Sequence, residues 1–147
     1  MKPYGAAVLV SSIDTTGIEL GARLTADETL VFFTHADAPP AHAFLAQRSS
    51  PTMGFGPSAQ VPVINTANSD TYDVSATADG LTVYFTSNRD DPMNGTLSLF
   101  VGARPNLAGL FTVTKITTVP AGLKQPFVTP SGGALYFVTS DKVVRAS

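Results

Sequence analysis

The chain has 147 residues, 44% of them apolar and 14% charged, which suits one domain with a buried core and argues against disorder. Its 9 Lys and Arg against 11 Asp and Glu leave a formal net charge of -2, so the basic footprint of a nucleic-acid binder is missing. With no Cys and 2 His, disulfides, thiolate nucleophiles and Cys-ligated metal centres are excluded, and most imidazole chemistry with them.

Taken from the N-terminus, residues 4–13 are predicted to be a fourth strand whose sheet lies elsewhere. Tyr4-Gly5 followed by Asp14 repeats Phe55-Gly56 followed by Asn65 at the same interval. The apolar run inside this segment, Ala6 to Val10, is far shorter than the roughly 18 residues of a membrane span, and shorter than the apolar region of a signal peptide. Leu24 to Phe33 opens the first repeat. The same pattern returns at Ala76 to Phe85 and at Val128 to Phe137, with Thr25, Thr77 and Thr129 spaced by 52 residues and Phe33, Phe85 and Phe137 in the same phase.

Between the first of these segments and the next lies the loop His35-Ala36-Asp37-Ala38-Pro39-Pro40-Ala41-His42. Imidazole and carboxylate in one loop could hold Zn²⁺ or Mn²⁺, yet a Pro-stiffened solvated loop accounts for them, and neither metal nor cofactor is expected. Arg48 precedes Phe55 by the interval at which Arg104 precedes Phe111. These arginines, with Arg145, are expected to pair with carboxylates or cap edges rather than clamp a ligand.

The second repeat is the clearest. Val74 to Thr77 runs into an Asp79-Gly80 turn and Leu81 to Thr86 returns, a predicted hairpin of β-branched and aromatic residues. Leu97 to Val101 is predicted as a third strand and Phe111 to Thr118 as a fourth. Asp90, Asp91 and Asn94, in the loop before the third strand, lack the spacing of an EF-hand loop and read as a polar turn. In the third repeat Lys142 to Arg145 takes the place of the third strand. No helical apolar stripe is sustained anywhere, and 12 Gly and 11 Pro punctuate the chain at strand-length intervals.

Repeats of about 50 residues holding four strands are the signature of β-propeller blades. The chain is therefore predicted to be all-β and one propeller segment, with repeats at 14–64, 65–117 and 118–147. Its three blades fall below the four to eight of an ordinary ring. Either two chains close a six-bladed ring as a homodimer, or blades are missing from a longer chain.

Thr77-Ala78-Asp79-Gly80-Leu81-Thr82-Val83-Tyr84-Phe85-Thr86-Ser87-Asn88-Arg89, preceded by Asn65-Thr66 and Asp70, resembles the repeat of the WD40-like PD40 propellers, related to the TolB propeller. Ser98 departs from the family's usual Asp, and Asp27-Glu28 departs from Asp-Gly at the first turn. The resemblance implies that Asp79, Gly80, Tyr84, Phe85, Arg89, Phe33 and Phe137 are structural repeat positions. Arg89 is expected to form a polar latch between blades with Asp70 and Asp73. The resemblance also implies a bacterial periplasmic or envelope setting. The function expected is a non-catalytic binding or scaffolding module for a protein or small ligand. The competing expectation is part of a propeller enzyme, a lyase, a glycosidase or the propeller half of a peptidase, with its catalytic residues mostly outside this chain. No Ser-His-Asp elbow and no sialidase Asp-box is present.

Overall fold

The computed structural model describes residues 6–14, 17–140 and 142–146. Within them the chain is all β, with no helix and three antiparallel sheets. The first sheet comprises β1 (Glu19–Leu24), β2 (Leu30–His35), β3 (His42–Gln47) and β4 (Ala59–Gln60). The second comprises β5 (Thr71–Ala76), β6 (Thr82–Ser87), β7 (Ser98–Ala103) and β8 (Thr112–Lys115), and the third β9 (Lys124–Val128), β10 (Leu135–Val138) and β11 (Val143–Ala146). Each sheet is a meander in chain order, and one sheet falls within each predicted repeat.

The repeated Thr builds the turn that starts each meander. Its hydroxyl accepts the N–H of the residue entering the second strand, from Leu30 at 3.1 Å, Thr82 at 3.2 Å and Ala134 at 3.1 Å. Its carbonyl accepts the N–H three residues on, where the chain turns left-handed: φ is +58° at Glu28, +66° at Gly80 and +74° at Gly132. Asp79 completes the second turn by accepting from the Thr77 hydroxyl at 2.6 Å and from the Leu81 N–H at 3.0 Å, and these bonds lower its pKa. Glycine is natural at the left-handed position, whereas a side chain there costs about 1–2 kcal/mol. Glu28 recovers part of that cost in a 3.2 Å ion pair with Arg48, a contribution of at most about 1 kcal/mol for an exposed pair. Glu28→Gly should therefore raise stability by about 0.5–1 kcal/mol, read as a higher urea midpoint. A lower midpoint would mean that the ion pair outweighs the backbone strain.

Alternation along the second strands sends neighbouring residues into different cores. Phe85 and Val83 join Phe32, Leu30 and Ala43 between the first and second sheets, whereas Tyr84 and Leu99 face Phe137, Leu135 and Val128 between the second and third. The second sheet is thus the middle layer. Phe33, Phe85 and Phe137 are all buried, each on the face directed to the start of the chain. In the first sheet this face turns away from the second sheet, and Phe33 stacks on Phe44 at 5.8 Å as Phe85 stacks on Phe100 at 5.6 Å. Leu9, Val10 and Ile13 share a cleft with Phe33 there.

A second repeat becomes visible only in the backbone. Gly21, Asp73 and Gln125, again 52 apart in sequence, all have positive φ, and the pairing of β1, β5 and β9 slips at these points. Every first strand therefore carries a bulge at one equivalent place.

The predicted strand over residues 4–13 requires correction. Residues 6–10 form no strand, and Tyr4 and Gly5 lie outside the described residues. Among the described residues β11 pairs with β10 alone. In its own sheet β3 is already paired with β4, and the second sheet stands between this segment and β11.

Candidate functional site

Of the arginines singled out by spacing, Arg48 and Arg104 are fasteners within sheets. Arg48 donates through Nε to the Glu28 carbonyl at 2.6 Å, and Arg104 to the Gly80 carbonyl at 3.0 Å, so each holds the left-handed residue of its own turn. Their guanidinium carbons lie 4.5 Å and 4.6 Å from the ring centroids of Phe55 and Phe111, which explains the fixed interval between Arg and Phe. Arg48 meets a carboxylate as expected, on Glu28. Arg104 instead finds carbonyls, adding Leu107 at 2.9 Å, and burial lowers its pKa.

Arg89 does not latch onto Asp70 or Asp73. It donates to the carbonyls of Val63 and Ile64 and lies over Phe85 and Phe100 at 5.0 Å and 4.9 Å. The charge is lodged between the aromatic faces and the connector leading into β5, and desolvation there lowers its pKa. The latches between sheets use the two aspartates separately. Asp70 accepts the Ala41 N–H at 2.7 Å and the Asn88 amide at 3.2 Å, and Asp73 accepts the Gln125 N–H of the third sheet at 3.1 Å.

His35 and His42 are directly opposed on β2 and β3. His35 Nε2 lies 2.9 Å from Asp37 and 3.8 Å from Glu19, whereas His42 Nε2 is buried without a hydrogen-bond partner. Among the described residues no group of three or more His, Asp or Glu is assembled to hold a metal ion. Asp91 accepts from Asn94 at 2.8 Å, and Asp90 pairs with Lys115 at 2.9 Å. This loop is held by its own bonds, and those from Thr96 and Asn94 lower the Asp91 pKa.

The place where all three sheets meet is the candidate site. Arg23 on β1, Ser75 on β5 and Phe127 on β9 occupy one equivalent repeat position, two residues before Thr25, Thr77 and Thr129. They line a single cleft of about 360 Å³ with Ala26, Val128 and Pro130. Ser75 closes the floor, its hydroxyl accepting the Val128 N–H at 3.0 Å. Arg23 crosses from the first sheet to the third, its guanidinium 5.8 Å from the Phe127 centroid, and its Nε is buried with no hydrogen-bond partner. Phe127 remains 45% exposed, although its neighbour Val128 lies in the core between the second and third sheets. Where the turn Thr is constant because all three sheets need the same turn, this position differs three ways while facing one space. Carrying the 52-residue alignment two residues upstream and asking where the repeats diverge finds it from sequence.

No protein-family model matches the chain, and no curated protein matches it.

Proposed function

We propose that the chain is a run of three β-propeller blades of the PD40 type and acts as a non-catalytic binding module. The cleft between its first strands takes a ligand that offers a carboxylate beside an apolar group, such as the end of a peptide or a small carboxylic acid. The observation that carries this is the convergence of Arg23, Ser75 and Phe127 from three sheets on one cleft. A guanidinium supplies charge-assisted hydrogen bonds to a carboxylate, and the exposed ring supplies apolar contact area that needs little further ordering on binding. Three sheets stacked in sequence, each beginning at its first strand beside the others, support the propeller reading. The bulges at Gly21, Asp73 and Gln125 fit strands that bend around a shared centre.

The test is amide NMR of the ¹⁵N-labelled protein titrated with short peptides carrying a free C-terminal carboxylate, with amidated versions as controls. Shifts concentrated at residues 22–26, 75–76 and 127–130 are expected, lost on amidation and in Arg23→Ala. Shifts confined to other surfaces, or none with any peptide, would overturn the proposed site.

A further inference from the structure

We propose that a second copy of this chain packs on the free face of the third sheet, and that residues 6–14 of that copy add to β11 as its fourth strand. The inference rests on the propeller reading and goes beyond it in naming the partner. Each internal interface has two unlike halves. The face directed to the start of the chain brings Val83, Phe85 and Phe100 onto the first sheet, and the opposite face brings Tyr84 and Leu99 onto the third. Both halves recur without a sheet against them. Val31, Phe33 and Phe44 repeat the first half on the outside of the first sheet. Tyr136, in register with Phe127 and Arg145, repeats the second half on the outside of the third, followed by Val138 in register with Val143. A sheet of a second copy supplies the missing half in the geometry already used twice within the chain. Two copies related by a two-fold axis complete two such interfaces.

The edge of the third sheet points to the same occupant. In the first sheet, Asn65 of Ile64-Asn65-Thr66 clips the third strand by accepting the Ala43 N–H and donating to its carbonyl, both at 2.8 Å. Ala43 lies opposite Thr34. Its counterpart in the third sheet is Val143, opposite Val138. Ile13-Asp14-Thr15 repeats the clipping triplet, and an aspartate can accept the Val143 N–H. On its own chain this segment reaches the Phe33 cleft through Leu9, Val10 and Ile13 yet leaves Val8 and Leu9 82% and 70% exposed, and Val143 across from its proposed partner is 73% exposed. Pairing covers all three and removes an open strand edge.

The chain has no Cys, so engineered thiols report geometry cleanly. Light scattering at 100 µM on the unaltered chain should give about twice 15.3 kDa. The Tyr136→Asp/Val143→Asp variant, altered on the outer face alone, should give the monomer mass with an unchanged circular dichroism spectrum. On mild oxidation the Asp14→Cys/Val143→Cys variant should run as a covalent dimer on a non-reducing gel. A monomer mass for the unaltered chain, or a disulfide formed only within one chain, would overturn the proposal. In that event, peptide-induced shifts at Arg23 and Phe127 would still report on the binding site, so the two proposals fail separately.

Discussion

Phe85→Ala is expected to lower the unfolding free energy by about 3–5 kcal/mol. Phe85 is fully buried between the first and second sheets, stacks on Phe100 at 5.6 Å, and carries the Arg89 guanidinium 5.0 Å from its centroid. Removing the ring opens a cavity between the first and second sheets, which the second sheet cannot close without breaking its other interface, with the third. It also takes the aromatic face from a half-buried cation, Arg89. The measurement is the urea midpoint at constant m-value. A midpoint within error of the unaltered chain would mean that the second sheet does not pack on the first through this face.

Arg104→Ala should cost about 2–4 kcal/mol, because two carbonyls inside the turn network lose charge-assisted partners and the Phe111 ring loses its cover. The turn that Arg104 holds contains Gly80 at φ +66°, so the loss is felt at the hairpin as well as at the guanidinium. Arg104→Lys should recover less than half, since one ammonium cannot donate to Gly80 and Leu107 while lying flat on the ring. At about 2–4 °C per kcal/mol for a domain of this size, thermal melting separates the three proteins. Equal melting temperatures for the Lys variant and the unaltered chain would show that charge alone is required.

The turn Thr and the aromatic positions were legible in the sequence because their causes are local: a hydroxyl at a fixed offset closes a turn, and a period of two sets a face. Arg48 and Arg104 were legible as positions and only partly as roles. A carboxylate partner has a sequence signature, whereas the Gly80 and Leu107 carbonyls that hold Arg104 have none. Arg89 was misassigned for the same reason, since Val63 and Ile64 receive it through backbone oxygen. The bulges at Asp73 and Gln125 escaped because nothing in those residue types announces a left-handed backbone. The cleft at Arg23, Ser75 and Phe127 was hidden in another way: a search for repetition rewards sameness, and this position is informative because it is not the same.

The two unlike faces of every sheet give the stack a direction, as a row of identical bricks has when each carries a peg on one side and a socket on the other. A duplicated copy of residues 65–117 inserted after its parent would meet a socket before it and a peg behind it, creating no foreign junction. In such an array stability accumulates through nearest-neighbour contacts, so growth of the protein by whole repeats costs no redesign of its interior. Insertion of half a repeat would put two like faces together. The alternation of Tyr84 and Phe85 between opposite cores thus confines viable lengths of this architecture to steps of one complete sheet.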